Sequence, residues 1–201
     1  MSDSGVLNPP AMPDWTPPVA ASDPTWVTAE QVAAMTADYP RVEIWYGELR
    51  VKMSSRPSKD HGEVQAEFTR VIANYVKAAK IGRTFNESGV LLRSEPDVLF
   101  GPDVAVYFGD RGDGHPTFYL GSPDFVVEVR SPSNTQRSIA EKIDIYFRFG
   151  CQMVVVADVV DRSLAVHQPD AEPLTLGLAD TLTGGDVLPG FSVKVADLFA
   201  D

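Results

Sequence analysis

Asp103 and Glu128 are the two residues whose settings ask for chemistry. Asp103 follows Gly101-Pro102 at the entry to the apolar run 104–107, and Glu128 sits inside the run 125–129. A carboxylate in an apolar strand is costly to bury without a partner. Strand alternation puts Val127 and Val129 on one face and Val126 and Glu128 on the other, so Glu128 points away from one packed layer. Two carboxylates with a backbone carbonyl, here that of Val129, supply hard oxygen ligands suited to Mg2+ or Mn2+. An ion held this way lowers the pKa of its bound water and neutralises charge developing on a phosphate. The plain alternatives are a turn-forming aspartate after proline and a solvated edge-strand glutamate. A shared site accounts better for both together.

Phosphoryl chemistry of this kind also needs a cation near the attacking water and the scissile phosphate. Arg130 lies two residues after Glu128, on the same strand face. It is a poor proton carrier because its guanidinium stays charged at any working pH. Lys142, on the helix that follows, is the alternative, although Glu141 and Asp144 beside it are equally compatible with a solvated lysine. His61 is read as a local cap in preference to a phosphate contact, His115 and His167 have no partner that spacing identifies, and Asp158 reads as a turn or structural acid. Ser131 and Ser133 have no His/Asp arrangement around them, and there is no phosphate-binding loop or dinucleotide fingerprint.

The elements that must position these residues can be read in chain order. Residues 1–25 carry Pro9, Pro10, Pro13, Pro17, Pro18 and Pro24 and read as a flexible arm, leaving 26–201 as one domain. Thr28 and Gln31 form a capping box for a short helix. A hairpin is expected over 42–53, turning at Gly47-Glu48. The longest helix is expected over about 61–80, with Asp60 as N-cap and Gly82 as its stop; Val64, Phe68, Val71, Ile72, Tyr75 and Val76 recur at helical spacing. Strands follow at 83–86, 90–93, 104–107 and 125–129, with a Gly/Asp-rich mobile loop after Gly109. A helix over 135–149 stops at Gly150, strands follow at 152–158 and 163–167, and the tail holds one short strand and a closing helical turn. This order gives an α/β fold with a mixed sheet flanked by helices, in which 124–130, the helix and 152–158 form a parallel crossover.

Composition adds limits. The net charge is −11, yet residues 50–148 hold 14 of the 17 Lys/Arg and 13 of the 28 Asp/Glu, so the acidity lies mostly in the flanks. A polyanionic substrate is permitted by this distribution and not indicated by it. The lone Cys151 excludes an internal disulfide and a Cys-rich zinc site, fits a reducing compartment, and reads as a buried small hydrophobe. No apolar run reaches the ~20 residues needed to span a bilayer, and the N-terminus has no signal-peptide pattern. A cytoplasmic protein is expected.

Pro102-Asp103, Glu128-Val129-Arg130, Ser131-Pro132-Ser133, Lys142, Tyr146, the Gly150 stop and the strand ending in Asp158 together resemble the Uma2 family of the PD-(D/E)XK nuclease superfamily. The resemblance runs from about Val42 to Phe199. It implies a restriction-endonuclease-like fold, divalent metal binding by Asp103 and Glu128, and DNA as substrate. The superfamily's strand lysine falls here at Arg130; in Uma2-like proteins the lysine has moved to the helix, which points to Lys142. Glu63 matches the superfamily's acid on the first long helix, where it can hold a second metal or orient metal-bound water, a solvated helix charge being the alternative. The expected activity is therefore Mg2+-dependent DNA hydrolysis with Asp103, Glu128, Lys142, Arg130 and Glu63 in the catalytic set. The alternatives are a catalytically retired binding or assembly module and a metal hydrolase of a small phosphate ester. Homodimerisation, with the Pro-rich arm helping, would serve cleavage of both strands.

Overall fold

The computed structural model describes residues 26–34, 42–51, 58–130 and 135–199. The Pro-rich arm and the Ser131-Pro132-Ser133 motif lie outside them. In chain order the elements are α1 (Ala29–Ala33), β1 (Val42–Trp45), β2 (Glu48–Val51), α2 (Lys59–Ala79), β3 (Gly82–Phe85), β4 (Val90–Arg93), β5 (Val98–Phe100), β6 (Val104–Phe108), β7 (Tyr119–Leu120) and β8 (Phe125–Arg130). They continue with α3 (Gln136–Arg148), β9 (Met153–Asp158), β10 (Ser163–His167), β11 (Leu174–Leu176), β12 (Thr181–Thr183), β13 (Ser192–Lys194) and a 3-10 turn, Val195–Leu198. No helix among the described residues is long and apolar enough to cross a membrane.

The central sheet has the order β11-β10-β9-β8-β6-β3. Its middle pair, β8 and β9, is parallel and joined through α3, while the flanking pairs are antiparallel. Both faces of that pair are covered, which is why FVVEV and MVVVA read as nearly unbroken apolar runs. One face carries Val127, Val129 and Val155 against Val64, Phe68, Ile72 and Val76 of α2. The four α2 residues recur every four positions and so form one stripe. Burying each such side chain contributes about 1.5–3 kcal/mol. The opposite face carries Val126, Val154 and Val156 against Ile143 and Tyr146 of α3. A second sheet, β2-β1-β5-β4-β7, closes over this side through Trp45, Val98 and Phe100. Its outer face receives α1, where Asp97 accepts a hydrogen bond from the backbone N–H of Ala29 at 2.7 Å.

The Thr28–Gln31 capping box is present. Several boundaries differ from the sequence reading. Ser58, not Asp60, caps α2 by accepting from the His61 N–H. The helix ends on Lys80 in the left-handed conformation, and Gly82 begins β3. The tail forms a two-stranded hairpin, β12–β13, where one strand was expected, because Thr181–Thr183 finds its partner only in Ser192–Lys194. The loop after Gly109 is anchored: Arg111 pairs with buried Asp124 at 2.6 Å, Arg83 with Asp113 at 2.9 Å, and His115 Nδ1 accepts from the Thr117 and Phe118 N–H groups. Cys151 is fully buried, and burial pushes its thiol pKa up to about 12.

Gly82 is required by packing. A Cβ there would run into the carbonyl oxygen of Tyr107 and the Cα of Phe108 on β6. Neither backbone atom can rotate away. Gly82→Ala is expected to lower stability by about 1–3 kcal/mol, read as a drop in the urea midpoint at unchanged slope; an unchanged midpoint would show that β3 and β6 can separate freely.

Candidate active site

Asp103 and Glu128 are brought together by β6 and β8. The antiparallel register pairs Val104 with Val127 and Ala105 with Val126, so Asp103, the residue just before β6, lies beside the end of β8 that carries Glu128. Both side chains are buried, at 4% and 9% exposure.

Asp103 is fixed from several directions. Its Oδ2 accepts from the Val129 N–H at 2.6 Å, so the carboxylate closes onto the backbone of β8 itself. Its carbonyl accepts from the Gln65 side-chain amide of α2 at 3.1 Å. The carbonyl of the preceding Pro102 accepts from the Glu87 N–H. His61, also on α2 and buried, brings Nε2 to 3.5 Å from Asp103 Oδ1.

Glu128 faces the other layer. Its Oε1 accepts from the Tyr146 hydroxyl at 2.9 Å and meets the Lys142 Nζ at 2.7 Å. Lys142 is buried, not solvated, and its ammonium also bonds Glu43 Oε1 at 2.7 Å. Glu43 lies on β1, and its Oε2 accepts from Trp45 Nε1 at 3.1 Å. Burial by itself would lower the lysine pKa, but the Glu128 and Glu43 carboxylates outweigh it and hold the ammonium well above its ordinary range. Burial, reinforced by the Glu128 charge, likewise holds the Tyr146 hydroxyl in its protonated form.

The remaining expected residues stand apart from this cluster. Arg130 pairs with Asp158, its register partner on β9, at 2.7 Å. The other oxygen of Asp158 accepts from the Val160 and Asp161 N–H groups and so shapes the turn after β9. Glu63, half-buried, pairs with exposed Lys59 one turn earlier at 3.4 Å. It lines a pocket of about 180 Å³ with Asp60, Val64, Val159, Arg162 and Phe199, whose lining includes neither Asp103 nor Glu128.

Glu43 is the site residue that sequence reasoning missed. It stands in VEIW, an apolar run interrupted by one acid, and that is the signal that singled out Glu128 in FVVEV. The donor set suits a hard divalent ion. Mg2+ takes one or two carboxylates and keeps water on its other positions; among the described residues no group of three His, Cys, Asp or Glu side chains could hold a metal ion.

Lys142→Ala would leave Glu43 and Glu128 buried without their shared cation, a change expected to cost about 3–5 kcal/mol. The contribution also has a pH signature. The folded pKa lies above the ordinary 10.5, so the stabilisation is fully present below that value and declines as pH rises through the folded pKa. Urea unfolding of the wild type and of Lys142→Met should give a constant difference from pH 7 to about pH 9.5 and a shrinking one above pH 10.5. A difference that stays constant well above pH 10.5 would overturn the assignment.

The family model described as "Uma2: Putative restriction endonuclease" matches residues 29–196. The chain is also similar to a crystal structure from Anabaena variabilis ATCC 29413, described as "a putative nuclease belonging to DUF820". That likeness has 22% identity, covers 86% of this chain and 97% of the other, has a TM-score of 0.73, and shows a shared fold. A cryo-EM structure described as a DrdV–DNA complex is 13% identical over 65% of this chain and 76% of the other, with a TM-score of 0.37, too slight to bear on function. No curated protein matches the chain. The family match spans most of the sequence, and the mixed sheet flanked by helices is the fold shared with the similar crystal structure: this chain is a member of the Uma2 family, described as "Putative restriction endonuclease".

Proposed function

We propose that this protein is a divalent-metal-dependent DNA endonuclease in which Asp103 and Glu128 hold the ion. The observation that carries this reading is two buried carboxylates at the adjoining ends of β6 and β8, with a lysine ammonium on the second. The family description supports nuclease chemistry. When bound, Mg2+ or Mn2+ would polarise the phosphate and supply a more acidic water.

The chain's own groups divide the remaining work. The Val129 N–H and the Gln65 amide hold Asp103 in place. Tyr146 and Lys142 hold Glu128 through Oε1. Lys142 keeps its proton, so it serves as a fixed positive charge beside the phosphate and not as the base that deprotonates water. Arg130 is about one-third exposed and could exchange Asp158 for a phosphate oxygen, since its planar fork fits either partner. Glu63, in its separate pocket, would act on a second ion or on the incoming water. DNA would be met by the Lys and Arg concentrated in residues 50–148, and binding should weaken with salt.

A second reading, a retired nuclease fold that only binds or assembles, is favoured by one observation. Lys142 satisfies both Glu43 and Glu128, a charge network complete without an ion. Calorimetry with Mg2+ or Mn2+ separates the two, because a retired site takes up neither ion.

With supercoiled plasmid as substrate, Asp103→Ala and Glu128→Ala should each lower the metal-dependent nicking rate by at least about 100-fold, the several kcal/mol that a bound ion supplies. Circular dichroism must show both variants folded. Full activity in both would refute the assignment, and turnover of a small phosphodiester without DNA binding at low salt would move the substrate class.

A further inference from the structure

Glu87 stands in the loop between β3 and β4 with a φ of 51°. In this left-handed region the Cβ of an ordinary residue crowds the following carbonyl oxygen, and glycine or asparagine enters it at less cost. The loop has both cheaper choices at hand, Asn86 and Gly89, yet the left-handed position falls on the glutamate. A residue strained in this way persists only where its surroundings over-determine it, and such residues gather at functional sites.

The surroundings of Glu87 are those of Asp103. Its backbone N–H donates at 3.0 Å to the carbonyl of Pro102, the residue that leads into Asp103. Its Oε1 accepts from Gln65 Nε2 at 3.1 Å, and the same nitrogen donates to the Asp103 carbonyl at 3.1 Å. The two carbonyls that bracket Asp103 are therefore tied to one residue, the first directly and the second through Gln65. These bonds close a ring. With an acceptor on each side of Nε2, the Gln65 amide can lie only one way round, and a carboxylate makes the stronger acceptor. Gln65 is buried, so the ring is shielded from competing water on the α2 side. The Ser88 hydroxyl donates to the Asn86 carbonyl at 3.2 Å and braces the turn from outside.

We infer that Glu87 is a positioning residue for Asp103, setting the aspartate's backbone through Pro102 and Gln65 without touching the bound ion. The inference rests on the proposed metal-binding role of Asp103 and adds the residue that holds this acid in place from the surface of the molecule. The Val129 N–H fixes one end of the Asp103 side chain; the ring fixes the backbone at the other end. The left-handed φ serves this double contact, with the N–H turned to the start of β6 and the carboxylate to α2. Partners that orient a metal-binding residue are worth about 10–100-fold in metal affinity or activity.

The test separates the site from the fold. Glu87→Gly removes the carboxylate, keeps the backbone N–H and suits the left-handed φ. Its urea midpoint should not fall, while the Mn2+ affinity read by calorimetry drops by at least about tenfold and metal-dependent plasmid nicking drops with it. Glu87→Gln keeps an acceptor oxygen at the same reach and should recover most of that loss. Gln65→Leu should lose as much as Glu87→Gly, and combining the two should cost nothing further, because both open one ring. Unchanged Mn2+ affinity in Glu87→Gly, a lowered midpoint accompanying the loss, or an additive loss in the double variant would each overturn the positioning role and leave Asp103 as a metal residue. Wild-type protein that binds neither Mn2+ nor Mg2+ would overturn the metal-dependent reading and this inference with it.

Discussion

The ammonium of Lys142 is the point on which the architecture turns. It bonds Glu43 on one sheet and Glu128 on the other, and it does so away from water. An unpaired charge in such a place is prohibitively expensive, so the three groups must arrive together or not at all. The partners are 99 residues apart in the chain, which makes the pair a long-range condition on folding. Trp45 and Tyr146 supply hydrogen bonds to the two acids, and the Phe100 ring lies 5.2 Å from the ammonium. The sheets therefore meet through a specific charge arrangement as well as through apolar area. A shift of either sheet by one residue would turn Glu43 or Glu128 to the wrong face.

On the other side of the central sheet, α2 does the corresponding positioning for Asp103. Its apolar stripe docks the helix on β6 and β8, and its first turns then carry His61 and Gln65 to the strand mouth. The two acids are thereby held by different layers, Asp103 from the α2 side and Glu128 from the α3 side. Their common frame is the β6–β8 ladder. This gives the two acids distinct electrostatic surroundings, one beside an imidazole and the other beside a cation.

Much of this was legible in the sequence because its signals are local. The four-residue recurrence of Val64, Phe68, Ile72 and Val76 specifies α2, and the apolar runs around Val127 and Val155 specify the central strands. The acids at 103 and 128 stood out because their neighbours are apolar. What was not legible depended on distant partners. β5 and β7 span three and two residues, too short to show a period, and exist through pairing with β4. Lys142 looked equally well solvated because Glu141 and Asp144 flank it, while the acids it meets lie on β1 and β8. Glu43 was passed over because a hairpin strand with one polar face explains an acid cheaply, and the apolar layer covering that face comes from elsewhere in the chain.

The burial of Cys151 has a practical side. A thiolate is the reactive form of cysteine, and a thiol whose pKa is pushed up to about 12 beneath Tyr146 and Met153 is almost wholly protonated and out of reach of reagents at neutral pH. It is also the chain's only cysteine. The native protein is consequently silent toward maleimides and disulfide exchange, so a single cysteine placed on any exposed surface can carry a fluorophore or spin label without competition from the core.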